Sequence, residues 1–165
     1  MTLPLTVWPL LALSMATGLL AGVFLTFSDF LMRSLHRSAP ASGTEAMQRI
    51  NREVYRSVFM VLFLGMVPVS ALVLGYALLA LSGPVATWLT SAAVLYLLGV
   101  FAVTAAGNVP MNQRLDAMPL AGEAAQGYWP VYVTGWLRWN HLRGLAALGA
   151  SVSYAVAALT LVAGG

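Results

Sequence analysis

Long apolar runs alternate with two polar loops along the chain. No charged side chain occurs in residues 1–28, 57–113 or 144–165. A helix needs about 20 predominantly apolar residues to cross a bilayer, and each of these runs reaches that length. The middle run is divided by Ser82-Gly83-Pro84, a turn signal placed to separate two spans. The pattern therefore predicts four transmembrane helices, at residues 6–31, 57–81, 86–107 and 144–163.

The composition agrees with a chain that lies in lipid. Of its 165 residues, 60% are apolar and 8% are charged, whereas a soluble domain carries about 25% charged residues. We therefore predict an all-α integral membrane protein in which residues 1–165 form one domain, a four-helix bundle. No basic residue precedes the first apolar run, as it would in a signal peptide, so we expect this run to remain as a span.

The charges are distributed unevenly between the loops. All eight basic residues are arginines, of which five lie between predicted spans one and two and three lie between spans three and four. The turn between spans two and three carries no charge. The positive-inside rule then places both long loops in the cytoplasm and both termini outside, in a multi-pass protein of the cell membrane. We expect the basic loops to contact anionic lipid head groups and expect no nucleic-acid partner.

Polar side chains gather where the predicted spans meet the cytoplasmic loops. Asp29 lies near the end of predicted span one, before any basic residue, so its carboxylate is expected just inside the hydrocarbon. There it needs a partner, which we expect one of the loop arginines to provide. If the segment before span four is helical, Trp136, Asn140 and Arg143 share one face at three- to four-residue spacing. The candidate site residues at this level are Asp29, Asn51, Asn108, Asn112, Trp136, Trp139, Asn140, His141 and Arg143.

The segment GNVPMNQRL closes the third predicted span. Pro110 lacks an amide donor and disfavours helical angles in the residue before it, so we predict that the span ends here. Asn108 is then a natural capping residue. Asn112 is not needed for capping, which makes it the stronger candidate for a ligand contact.

Several kinds of site are disfavoured by the residue types present. The chain has no cysteine, which excludes disulfides and thiolate ligands. Its two histidines, His36 and His141, form no spaced pair with another ligand on one helix face, so we predict no metal site. A glycine-rich phosphate loop is also absent from the sequence.

Four segments together carry a family resemblance. They are FSDFLMRSL, AMQRINREVYRSVF, GVFAVTAAGNVPMNQRL and WLRWNHLRGLAAL, and their most specific parts are QRIN (48–51), NVPMN (108–112) and WNHLR (139–143). In these segments the chain resembles the anthrone oxygenase-like family of small four-helix membrane proteins, from about residue 18 to residue 158. One departure is Met32-Arg33-Ser34, where family members often have Met-Pro.

The resemblance implies oxidation of an apolar aromatic substrate by molecular oxygen at the cytoplasmic interface. Fungal members oxidise an anthrone to an anthraquinone, and the deprotonated anthrone is an enolate that reacts with oxygen directly. Such a reaction needs a base, donors for the enolate oxygen and an aromatic pocket, but no metal or flavin. The resemblance implies catalytic roles for His141 as the base and for Asn112 and Asn108, with substrate contacts from Asn140, Arg143, Trp136, Trp139, Asn51 and Asp29.

A non-enzymatic membrane protein is the alternative interpretation. Polar groups at the ends of a bundle often only satisfy one another, in a protein that binds lipid or assembles as a homo-oligomer. The two interpretations differ in one arrangement. An enzyme is expected to line a pocket with Asn108, Asn112, Asn140 and His141, with Asn112 facing His141, whereas a structural cluster bonds internally.

Overall fold

Five helices make up almost all of the described chain. The computed structural model describes residues 7–163. The helices are α1 (Val7–Arg37), α2 (Pro40–Glu53), α3 (Val58–Ala80), α4 (Gly83–Asp116) and α5 (Glu123–Ala163), and a 3-10 turn, Val54–Arg56, joins α2 to α3. The prediction of an all-α chain is confirmed for these residues.

The four long helices α1, α3, α4 and α5 are each apolar and long enough to cross a membrane. Each overlaps one of the four predicted spans, but α1, α4 and α5 extend beyond the predicted ends; residue 6, the first of the first predicted span, lies outside the described residues. Between the second and third spans the backbone turns at Ser82, which is extended, and at Gly83, which has a φ of +75° that glycine adopts without strain. The predicted division of the middle run is therefore confirmed.

The fourth span is part of a much longer helix than predicted. Helix α5 begins at Glu123 rather than near residue 144 and runs unbroken for 41 residues, about 60 Å at a rise of about 1.5 Å per residue. Its first half buries Trp129, Tyr132 and Trp136 on one face. Because this face packs against α2, tertiary contacts hold the segment helical where the polar residues suggested a loop.

Pro110 does not end the third span, contrary to the prediction. Val109 has helical angles, with φ −61° and ψ −48°, and the helix continues to Asp116. The backbone is π-helical from Thr104 to Asn108, so the hydrogen-bond register shifts just before the proline. Pro110 then lies in the first turn of the α-helical segment that follows, where its missing N–H is tolerated.

The helices enclose two apolar cores, one above the other. The larger lies among the four spans and includes Phe24, Tyr96 and Tyr154. The smaller is formed by α2, the first half of α5 and the ends of α1 and α4, and it includes Met47 and Trp129. Helix α5 packs along both α1 and α4, whereas α3 packs mainly on α4 and contacts α1 at few points. The loose seam around α3 leaves space at the level where the two cores meet.

Candidate functional site

A cavity of about 580 Å³ occupies the space between the two cores. Its volume lies in the range of small-molecule sites, about 300 to 1,000 Å³. Every helix contributes to its wall, which consists mainly of aromatic and aliphatic side chains. Five lining residues are exposed, and two of them, Glu53 and Tyr55, lie two residues apart at the junction of α2 and α3. We call the end of the cavity at Glu53 and Tyr55 the mouth. The other three, Val23, Leu64 and Ala105, lie on the apolar spans. The polar groups on the wall include Asn51, Glu53, Ser57, Thr104, Asn112 and Arg143.

Arg143 is the most unusual of these groups, because it is a buried cation. Only 8% of the residue is exposed. Its guanidinium lies 4.3 Å from the ring centre of Phe24 and 5.1 Å from that of Trp136. Within residues 7–163 no carboxylate lies at ion-pair distance from it, since the two ion pairs found there join other residues. The positive charge is therefore balanced only by dipoles and aromatic faces.

Asn140 holds the Arg143 side chain in place. The Oδ1 atom of Asn140 accepts hydrogen bonds from Nε and Nη2 of Arg143, at 3.1 and 2.9 Å. Its Nδ2 atom donates to the Phe24 carbonyl and to the Ser28 hydroxyl on α1, both at 2.7 Å. Thr104 on α4 accepts a third bond from the guanidinium, at 3.3 Å. Asn140 itself is fully buried and is not part of the cavity wall, so it acts as a positioning residue.

Asn112 presents its amide group to the cavity in a fixed orientation. Its Oδ1 atom accepts hydrogen bonds from the Tyr132 hydroxyl at 2.8 Å and from Trp136 Nε1 at 2.9 Å. Because the indole N–H is only a donor, the oxygen of Asn112 must face α5. Its NH₂ group has no acceptor among residues 7–163, and Asn112 lies on the cavity wall. This NH₂ group is therefore available to a ligand.

A polar strip runs along the α5 side of the cavity. Asn51 donates to the Tyr132 hydroxyl over a long 3.5 Å contact, and the strip continues through Asn112 and Trp136 to Arg143. Asn51 forms its outer end, and Glu53, two residues later on α2, also lines the cavity. Amide and cationic donors are thus held at the inner end of the cavity and a carboxylate at the mouth.

The other predicted site residues lie off the cavity wall. Asn108 is 1% exposed and donates to the Trp136 carbonyl at 3.1 Å, which ties α4 to α5. His141 is exposed on the outer side of α5. Since successive helical residues point about 100° apart, Asn140 faces the core while His141 does not. Asn112 and His141 therefore do not face each other across the cavity.

Trp139 and Asp29 also differ from their predicted settings. Trp139 is 40% exposed and its ring covers Gly107, where a Cβ atom would lie 2.5 Å from the ring. Asp29 is exposed, and Arg33 donates to its backbone carbonyl at 2.7 Å. No arginine pairs with the Asp29 carboxylate among the ion pairs of residues 7–163. The expected salt bridge is therefore not formed in this part of the chain.

Of the polar wall residues named above, Glu53, Ser57 and Thr104 were not among the site candidates predicted from the sequence. Thr104 lies four and eight residues before Asn108 and Asn112, a helical spacing of polar residues within an apolar run. Glu53 is an acidic residue in an otherwise arginine-rich stretch. Both signals are visible in the sequence, but neither distinguishes the cavity wall from the lipid-facing surface.

Metal coordination has no support from side-chain placement over the described range. Across residues 7–163, no three His, Asp or Glu side chains come close enough to hold an ion.

The comparisons with known proteins identify the family. A family model described as anthrone oxygenase matches residues 52–153, which is more than half of the chain. No curated protein and no solved structure matches the chain. The matched segment includes Glu53, Asn112 and Arg143, whereas the wall residues of α1 precede it. The chain belongs to the anthrone oxygenase family.

Proposed function

We propose that the protein is a membrane oxygenase that oxidises a flat, apolar aromatic molecule with molecular oxygen. The observation that carries this proposal is the buried Arg143 guanidinium, which has no carboxylate partner among residues 7–163 and faces an aromatic cavity. An isolated charge is costly to bury, so such a cation favours a ligand whose oxygen is negatively charged or becomes so. The enolate of an anthrone-type molecule has this property.

The proposed reaction balances with oxygen as its only co-reactant. A base removes one proton from the methylene group opposite the substrate carbonyl, and the electron pair moves onto the carbonyl oxygen to give the enolate. The methylene carbon then forms a C–O bond with O₂, and the resulting peroxide takes up a proton. Loss of the second methylene hydrogen and cleavage of the O–O bond release water and leave a quinone carbonyl. Because the enolate supplies the electrons, we expect no metal, flavin or other cofactor.

In this proposal some wall residues donate hydrogen bonds to the substrate and others contact its aromatic faces. Arg143 and the NH₂ group of Asn112 donate to the enolate oxygen, and the rings of Phe24 and Trp136 contact the faces of the substrate. Asn140 positions Arg143, and Asn108 positions the backbone of Trp136. His141 lies outside the cavity, so the base must be another group on the wall.

The placement in the membrane follows from the arginines. They lie at the cavity end of the helices, and we propose that this end faces the cytoplasm. The site then lies near the membrane interface, where an apolar aromatic substrate concentrates from the bilayer.

The test is oxygen consumption by the purified protein in lipid nanodiscs with anthrone as substrate. Arg143→Gln is expected to lower kcat by about 10²- to 10³-fold, the usual effect of losing one donor to a developing oxyanion. The control is Arg138→Gln, which removes an exposed arginine from the same helix outside the cavity. An active wild type that keeps its rate in Arg143→Gln would exclude the proposed oxyanion contact.

A structural role for the polar cluster is the second candidate function. Asn108 and Asn140 donate hydrogen bonds to neighbouring helices, as expected of residues that stabilise a helix bundle. In that case no anthrone is consumed, and Arg143→Gln changes only the stability of the protein.

A further inference from the structure

The proposed reaction needs a group that accepts the methylene proton. Among the described residues, the cavity wall contains one carboxylate, that of Glu53. Glu53 is the last residue of α2 and lies at the mouth. Among residues 7–163 it forms no ion pair and no side-chain hydrogen bond. Its neighbour Arg52 is bound to Asp116 at 2.6 Å instead. Glu53 is therefore free to accept a proton from a ligand.

The other acidic and basic candidates are placed elsewhere. Glu45 is paired with Arg49 at 2.8 Å and Asp116 with Arg52. Asp29 and Glu123 are exposed and do not line the cavity, and neither do His36 and His141. Elimination within the described part of the chain leaves one carboxylate that both faces the cavity and lacks a partner.

We propose that Glu53 is the general base that removes the methylene proton of the substrate. This inference rests on the proposed function, because it names the base for that reaction. The Glu53 carboxylate takes the proton while the C–H electron pair moves through the ring onto the carbonyl oxygen. Since Glu53 is exposed at the mouth, the protonated carboxyl can return its proton to the peroxide or lose it to water.

The order of groups along the cavity supports this assignment. Arg143 lies at the inner end of the polar strip, and Glu53 lies on the cavity wall at the mouth, two residues after Asn51 in the chain. In an anthrone-type molecule the carbonyl and the methylene are on opposite sides of the central ring. A substrate whose oxygen accepts from Arg143 therefore points its acidic carbon toward the mouth. A general base within reach of its proton typically contributes about 10² to 10⁴ in rate.

The test separates proton removal from the reaction with oxygen. Anthrone is incubated with the nanodisc protein in deuterated buffer under anaerobic conditions, and deuterium entering the methylene is followed by NMR. The wild type is expected to accelerate exchange above buffer, and Glu53→Gln to lower the protein-catalysed rate at least about 100-fold. Glu53→Asp is expected to recover part of the rate. The matched control, Glu45→Gln, removes a carboxylate from the same helix away from the cavity and is expected to exchange like the wild type.

A second measurement confirms that Glu53→Gln leaves the cavity intact. Anthracene-9-carboxylate is a fluorescent aromatic anion that needs no base, and it is expected to bind Glu53→Gln within twofold of the wild type. Exchange at the wild-type rate in Glu53→Gln, or a wild type no faster than buffer, would overturn the assignment of Glu53.

The two proposals fail in different ways. Exchange that depends on Glu53, without quinone formation in air, would reject the oxygenase while leaving Glu53 as the base. Quinone formation that continues in Glu53→Gln would reject Glu53 while leaving the oxygenase.

Discussion

Replacing Asn140 with alanine tests the network that holds the buried cation. Four hydrogen bonds end on this side chain, two from Arg143 and two to α1. Among the residues that the structure describes, the substitution leaves Thr104 as the one hydrogen-bond partner of the Arg143 side chain. A hydrogen bond to a charged group contributes about 1.5–3 kcal/mol, and each of the two hydrogen bonds to α1 adds about 0.6 kcal/mol. We therefore expect Asn140→Ala to lower the free energy of unfolding by about 3–4 kcal/mol.

The matched control is Asn108→Ala. Asn108 is also buried, but within residues 7–163 its side chain makes one hydrogen bond, to the Trp136 carbonyl, and its Oδ1 atom has no partner there. We expect this change to cost about 1 kcal/mol. Both variants are unfolded reversibly by increasing the fraction of denaturing detergent in mixed micelles, with tryptophan fluorescence as the signal. Equal losses in the two variants would refute the idea that Asn140 stabilises a buried charge.

The double variant isolates the charge itself. In Asn140→Ala the cost comes mainly from a guanidinium that has lost its partner. Adding Arg143→Met removes that charge and fills its space with an apolar side chain. We therefore expect the double variant to be more stable than Asn140→Ala alone. A further loss of stability would show that the arginine is held by contacts other than Asn140.

Two more predictions concern helix packing and the outer face of α5. Gly99→Ala is expected to lower the free energy of unfolding by about 1–3 kcal/mol, because its Cβ atom would lie 2.5 Å from the Cβ atom of Ala146. At Gly22 an added Cβ atom would meet no other part of residues 7–163 within 4 Å beyond its own stretch of helix, so Gly22→Ala is expected to raise the free energy of unfolding by up to about 1 kcal/mol in the same mixed-micelle titration. The opposite ranking would contradict the close approach of α4 and α5. His141→Ala is expected to leave anthrone oxidation and binding of anthracene-9-carboxylate unchanged, since His141 is exposed outside the cavity. A large loss of oxidation in that variant would restore His141 as a candidate base.

The number and order of the spans follow from local properties of the sequence. Long charge-free runs and one turn signal were enough to predict four helices, because burial in lipid depends on composition over about 20 residues. The ends of the helices depend on tertiary contacts. Helix α5 extends far beyond its apolar part because its aromatic residues pack on α2. Helix α4 continues beyond Pro110 because a π-helical segment before it shifts the hydrogen-bond register. No residue type in the sequence indicates such a π-helical segment.

The sequence predicted which site residues share a face of one helix, but it did not predict contacts between two helices. The spacing of Trp136, Asn140 and Arg143 predicted a shared face, and all three are buried. The same periodicity turns His141 outward, although the family resemblance implied it as the base. The distance of Asn112 from Trp136 depends on how α4 and α5 cross, so their hydrogen bond could not be read from either segment alone.

The two ends of the cavity offer opposite hydrogen-bonding groups to a ligand, which the list of wall residues alone does not show. Asn112 uses its oxygen on Tyr132 and Trp136, and Arg143 has only donors, so the inner end offers N–H groups to a ligand. At the mouth the Glu53 carboxylate has no donor among residues 7–163 and offers oxygen. A ligand that fits both ends must carry an electron-rich oxygen inside and an acidic hydrogen toward the mouth. An enolisable aromatic ketone meets this requirement, whereas a hydrocarbon or a lipid tail does not. The selectivity of the cavity for such a ketone over its alcohol is therefore the property on which both proposals depend.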